Sequence, residues 1–203
     1  MDVSSKGPTL LLLRHGQIKA NRTGHWHGST DSPLTFKGRR QAKRASRYLV
    51  NSELKAVYAS PLNRCQKTAA LATKHTHLEV QTLDGLKEMS IGAWEAISFK
   101  KLRKEHGLFQ NLKDPNYRPP DGESLQDVSS RVCDALVQIS KNHKHEETVL
   151  VCSHGVAMAV AIATLLHNDV SRWRNYQFNN CGITEMLVSP EPVVVSFNQL
   201  QHL

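Results

Sequence analysis

The chain has 203 residues, 39% hydrophobic and 22% charged, close to an average globular protein, which excludes disordered and fibrous classes. Lys and Arg number 26 against 18 Asp and Glu, a formal charge of +8 that favours anionic partners. No apolar run approaches the roughly 20 residues of a membrane span, and the opening Met-Asp-Val-Ser-Ser-Lys offers no secretory signal, so a cytoplasmic protein without membrane contact is expected.

Pro8 to Leu13 is a short apolar run stopped by Arg14-His15-Gly16, the pattern of a buried strand ending in a polar loop. Residues 17 to 34 lack periodicity and are rich in Gly, Asn, Ser, Thr and Asp, which predicts a loop. Thr35 caps a helix to about Val50, with Ala42, Ala45 and Leu49 on its inner stripe. Its outward Lys37, Arg39, Arg40, Lys43, Arg44 and Arg47 read as a solvated face. Lys55 to Ser60 predicts a second strand, Pro61 opens a helix through roughly Lys74, and a third strand is expected near Leu78 to Gln81.

From Leu83 to Gly122 the pattern loosens around several glycines and prolines, with one helix expected from Ile97 to His106. The segment holds too few apolar residues for a core of its own and reads as a lid-like insertion. Ser124 to Lys144 predicts a helix, because Leu125, Val128, Val132, Leu136 and Ile139 recur at three- and four-residue spacing. Thr148 to Cys152 is another buried strand, followed by Ser153-His154-Gly155 and an apolar helix to about Leu166. Ile183 to Val188 and Val193 to Phe197 alternate as a terminal strand or hairpin. Together these predict one α/β domain over residues 1 to 203: a three-layer sandwich, its mostly parallel central sheet flanked by helices.

Cys65, Cys133, Cys152 and Cys181 show no CxxC spacing and predict free thiols in a reducing compartment. The pairs His25/His27, His75/His77 and His143/His145 gather no partners at metal spacing, so no metal and no cofactor are expected. The basic surface lacks aromatic interleaving or a recognised basic motif, so nucleic acid is not an expected partner.

Two strands end alike, in LLLLRHG and TVLVCSHG. Ligands of open α/β sheets collect outside the carboxyl ends of the strands. Each end delivers a histidine followed by a glycine, Gly16 or Gly155, which lets a backbone approach a ligand closely. Arg14 adjoins the first histidine and Arg64 follows the second strand. Arginine forks match phosphate oxygens, and a neutral imidazole nitrogen is a nucleophile near neutrality. A carboxylic acid could supply the leaving oxygen with its proton.

The motifs then resemble those of the histidine phosphatase superfamily, which includes phosphoglycerate mutases. LLLRHGQ (11–17) resembles the signature around the nucleophile, His15. Asn21, Gly28 and TDSPLT (30–35) resemble the phosphate loop and its turn, and SPLNRCQKTA (60–69) implies Arg64 as a second phosphate arginine. LKEMSIGAWEA (86–96) resembles the acid loop, implying Glu88 as proton donor; DGES (121–124) and SHG (153–155) complete the order, with His154 as the second histidine. The resemblance implies a phosphoglycerate mutase-like fold and attack by His15, with Arg14, Arg64, His154 and Asn21 on the phosphoryl oxygens.

Mutases of the family resemble one another in a tyrosine before the acid-loop glycine and in a paired-arginine insertion. Here Ile91 precedes Gly92, and FQNLKDPNYRPP (109–120) has no adjacent arginines. The expected function is therefore a metal-independent phosphatase acting on a small phosphorylated substrate, with a cofactor-dependent phosphoglycerate mutase as the alternative and a non-catalytic phosphoprotein or nucleic-acid binder behind both. His27 departs from the family at the edge of the phosphate loop, the His25-Trp26-His27 loop could contact substrate, and Trp94 is expected to pack and fix the acid loop. Neither the substrate nor the oligomeric state is legible.

Overall fold

Four consecutive leucines make β1 (Thr9–Arg14), a composition that suits a strand buried on both faces. In the computed structural model, which describes residues 7–203, β1 lies at the centre of the sheet; the opening residues read for a secretory signal fall outside that range. The other strands are β2 (Leu54–Ala59), β3 (Val80–Thr82), β4 (Thr148–Ser153), β5 (Ile183–Leu187) and β6 (Val193–Gln199). Their spatial order is β3-β2-β4-β1-β5-β6. The first four in that order run parallel, whereas β5 is antiparallel to β1 and β6 closes the edge as its hairpin partner.

In chain order the helices are α1 (Lys19–Thr23), α2 (Phe36–Leu49), α3 (Asn63–Ala72), α4 (Phe99–Lys104), α5 (Leu108–Asn111), α6 (Leu125–Lys141) and α7 (Gly155–His167), with a 3₁₀ turn at Val170–Asn175. Alternate side chains of the strands feed two cores. Leu10, Leu12, Val149 and Val151 pack with α6 and α7, while Leu11, Leu13, Leu150 and Cys152 pack with α2 and α3. The result is the mostly parallel α/β sandwich that the alternation of strands and helices predicts.

The departures have local causes. The expected loop at 17–34 holds α1, because the Asn21 side chain accepts the Ile18 amide N–H at 3.1 Å and Gly24, at φ 69°, ends the helix after five residues. The helix expected over Ile97 to His106 is shorter: Ser98 caps α4 by accepting the Lys101 N–H at 3.3 Å, and Gly107 at φ 59° separates it from α5. Across 83–122, Leu86, Met89, Ile91, Leu102, Leu108 and Leu112 are all buried and join the core of Leu10 and Val151. The loosely patterned segment thus contributes these six side chains to the main core.

One contact fixes how the end of β1 meets α2. A Cβ at Gly38 would fall 2.2 Å from the Gln17 carbonyl oxygen, and one at Gly16 2.5 Å from the Gly38 carbonyl oxygen. The backbones touch because neither residue has a side chain. Gly38→Ala is expected to lose about 1–3 kcal/mol through overpacking, measured by urea unfolding; an unchanged midpoint would contradict the close approach.

Candidate active site

His15 follows the last residue of β1 and is buried beneath a cavity of about 540 Å³. Its Nδ1 lies 2.8 Å from the Gly16 carbonyl oxygen. A carbonyl only accepts, so Nδ1 carries the proton and Nε2 keeps its lone pair. Among the described residues no protein group hydrogen-bonds Nε2. Asn180 donates from Nδ2 to the His15 carbonyl at 3.0 Å and to Asn21 Oδ1 at 3.1 Å, so one side chain sets both residues. With Oδ1 also accepting from Ile18, the Asn21 amide can turn its Nδ2 donors towards the cavity it lines.

Arg14 lines the same cavity and donates from Nη1 to the Phe178 carbonyl. Its Nε is buried without a partner. Gly155, first residue of α7, leaves the guanidinium its space: a Cβ there would stand 3.3 Å from Arg14 Nε. Glu88 lines the cavity as well. Its Oε1 accepts the N–H groups of Met89 at 3.0 Å and Ala157 at 2.9 Å, and its Oε2 accepts that of Val156 at 3.2 Å. These α7 amides are orphan donors of a helix start, and they fix the carboxyl group beside Arg14.

Arg64 and His154 stand differently from their expected place on the cavity wall. Arg64 donates from Nη1 to the Thr30 carbonyl at 2.9 Å and to Asp31 Oδ1 at 3.5 Å. From Nη2 it reaches the carbonyls of His27 at 3.2 Å and Gly28 at 2.7 Å, and from Nε it reaches His154 Nδ1 at 3.2 Å. All of its donors are therefore held by protein. Since Arg64 can only donate, His154 accepts at Nδ1 and donates from Nε2 to Ser60 Oγ at 2.8 Å. The His154 ring meets that of His15 edge-on, with centroids 5.3 Å apart. Both residues back the histidine rather than line the cavity. Gly16 and Gly28 are also off the wall: Gly16 meets Gly38, and a Cβ at Gly28 would fall 2.0 Å from the Met89 carbonyl oxygen.

Three supports were not assigned from the sequence. Glu95, within the GAWEA run, accepts the N–H groups of Gly28 (2.9 Å), Ser29 (3.2 Å), Thr30 (3.2 Å) and Ile91 (3.1 Å), tying the loop at 28–30 to the segment that carries Glu88. Arg131 of α6 donates to the carbonyls of Gly85 (3.0 Å), Lys87 (2.7 Å) and Glu88 (3.1 Å) and pairs with Glu123 at 2.7 Å. Asn180 is the third. Trp94 packs against the main core with its ring 4.6 Å from that of His106, and Trp26 is buried with Nε1 donating to the Met89 carbonyl at 3.4 Å. His75, His143 and His145 bond to Ser46, Glu147 and Gly7, and among the described residues no three His, Cys, Asp or Glu side chains assemble as a metal site.

A family model described as "Histidine phosphatase superfamily (branch 1)" matches residues 10–199. The chain belongs to that superfamily. It is 30% identical over 190 residues to a protein of Enterobacter sp. (strain 638) named "Probable phosphoglycerate mutase GpmB", covering 92% of this chain and 88% of that one. It is 28% identical over 198 residues to "Phosphoserine phosphatase 1" of Hydrogenobacter thermophilus, covering 96% and 93%. The crystal structure of an Entamoeba histolytica phosphoserine phosphatase with 3-phosphoglyceric acid superposes with a TM-score of 0.84 at 29% identity, over 97% of this chain and 99% of that one.

Burial keeps both imidazoles unprotonated near neutrality. Burial, with Arg14 and Arg64 nearby, holds His15 well below the usual imidazole value, and burial, with Arg64 foremost among the nearby charges, does the same to His154. In the unfolded chain both take up a proton near pH 6.5, while the folded pair stays neutral. The unfolded state therefore binds more protons in acid. Stability is fully present above about pH 7.5 and falls below about pH 6.5 by about 1.4 kcal/mol per pH unit for each imidazole, until the folded rings themselves titrate. Urea unfolding across this range tests the slope, and a flat profile would contradict two neutral buried rings.

Proposed function

We propose that the chain is a phosphate monoester hydrolase that works through a phosphohistidine at His15 and needs no metal. What carries the reading is one observation: a neutral imidazole whose Nε2 lone pair has no protein partner, set at a cavity with Arg14, Asn21 and Glu88. Nε2 attacks phosphorus as the ester P–O bond breaks, and Glu88 gives the leaving oxygen its proton. Oε2 is the better site for that proton, since it accepts one N–H where Oε1 accepts two. Water then attacks the P–N bond, returning a proton to Glu88, and phosphate leaves.

Arg14 and Asn21 offer free donors to the phosphoryl oxygens, each such donor being worth about 2.7–4 kcal/mol of barrier. Arg64 and His154 act from behind: the charge of Arg64 helps keep the imidazoles neutral, and His154 holds the position of the His15 ring. The names of relatives support the hydrolase reading through the phosphoserine phosphatases of Hydrogenobacter and Entamoeba. A second reading, a phosphoglycerate mutase passing the phosphoryl group to another hydroxyl, is favoured by the Enterobacter relative's name. Ile91 before Gly92 and the absence of paired arginines in 109–120 weigh against it.

His15→Ala is expected to abolish phosphate release from a generic aryl phosphate while the protein stays folded, and the wild-type rate should persist in excess EDTA. Residual full activity would place the nucleophile elsewhere, and loss in EDTA would require a metal. Glu88→Gln should slow poor leaving groups by about 10²–10⁴-fold and activated aryl esters far less; equal slowing of both would remove Glu88 from the acid role. Interconversion of 2- and 3-phosphoglycerate after priming with 2,3-bisphosphoglycerate would decide for the mutase.

A further inference from the structure

The phosphate end accounts for only part of the cavity. Arg14, His15, Asn21 and Glu88 gather at one end, and the remaining wall is largely aromatic, built by Phe99 and Phe109 from the α4–α5 segment and by Trp173 and Tyr176 beside the last 3₁₀ turn. A volume of about 540 Å³ is that of a pocket for a drug-sized ligand. Phe99 and Phe109 lie with ring centroids 6.3 Å apart, and Phe99 remains 38% exposed.

Two arginines stand on this wall. The Arg103 guanidinium lies over the Phe109 ring at 5.5 Å and that of Arg174 over the Trp173 ring at 5.4 Å. Arg174 also donates to the Phe109 carbonyl, joining the two segments that build the chamber. Among the described residues neither pairs with a carboxylate. Stacking on rings holds the guanidinium planes in place, leaving the edge of Arg103 and the donors of Arg174 that Phe109 does not take for a planar anion.

The lining also says what is absent. Its one acidic residue is Glu88, already engaged by the α7 amides and assigned to the leaving oxygen. The ammonium of an amino-acid ester would find no counter-charge in this chamber and would sit beside two guanidinium groups. A neutral ring would find aromatic faces to stack on, and a distal acid would find the Arg103 fork and the remaining donors of Arg174.

We propose that the outer chamber selects phosphate monoesters of an aromatic alcohol that carries a second acidic group, and disfavours phosphoserine. This rests on the phosphohistidine reading above. The test compares 4-carboxybenzyl phosphate, benzyl phosphate and O-phosphoserine, whose leaving groups are all primary alkoxides, so that differences in kcat/KM report the chamber rather than the bond.

The expected order is 4-carboxybenzyl, then benzyl, then phosphoserine, with about tenfold between the first two for one charge-assisted contact. In the Arg103→Ala/Arg174→Ala variant the ratio between the two benzyl esters should collapse towards one through KM. Phosphoserine equal to or better than the carboxybenzyl ester, or a ratio that survives the double substitution, overturns the proposal. Labelling of His15 from ³²P-benzyl phosphate, in wild type and variant, separates the two levels. A labelled histidine with the wrong order sinks only the chamber's preference, whereas no label from any ester in the wild type sinks the phosphohistidine reading and this proposal with it.

Discussion

Two arginines stand near the carboxyl ends of the strands, and the fold settles them in opposite ways. Arg64 is enclosed, and every N–H of its guanidinium meets an acceptor supplied by loop 27–31 or by His154. Arg14 is left with a carbonyl at one nitrogen and nothing at a buried Nε. A half-buried guanidinium short of partners keeps donors to offer, and an anion at the proposed phosphoryl site would take them up. In the proposed phosphoryl site, the arginine open to an anion is thus the one that the protein leaves unsatisfied. Burial holds the Arg14 guanidinium below its ordinary value, with the facing Glu88 carboxyl pulling the other way.

Much of the remaining polar structure serves to hold that arrangement still. The Glu95 carboxylate collects four backbone amides from two loops, and Arg131 grips the carbonyls around Glu88 while braced by Glu123. These are charge-assisted bonds to groups that would otherwise need water. They fix the loops between sheet and cavity without any of the three side chains lining the cavity. The side chains that position the loops are therefore separate from those that line the cavity.

The layers of the fold were legible because apolar runs such as Leu10 to Leu13 and the spacing of Leu125 to Ile139 report burial directly. The short motifs that single out His15, Arg64, Glu88 and His154 sit at strand ends or in the loops between elements, where the chain signals a change of direction. Which of the two arginines faces the cavity was not legible. That depends on where the carbonyls of residues 27 to 30 come to lie, and no local pattern encodes it. Asn180 and Arg131 escaped for want of any spacing signature, since they act on backbone groups 165 and 43 residues away. Helix α1 escaped because a single asparagine side chain, rather than a periodic stripe, starts it.

Every side chain proposed to touch or back the phosphoryl group occurs before residue 156, yet the chain beyond that point is indispensable to their geometry. Phe178 offers Arg14 its one carbonyl, Asn180 steadies both His15 and Asn21, and β5 fills the flank of β1 that β4 leaves open. A fragment stopping after α7 would keep Arg14, His15, Asn21 and Glu88 but lose the Phe178 carbonyl, the Asn180 amide and the strand that flanks β1.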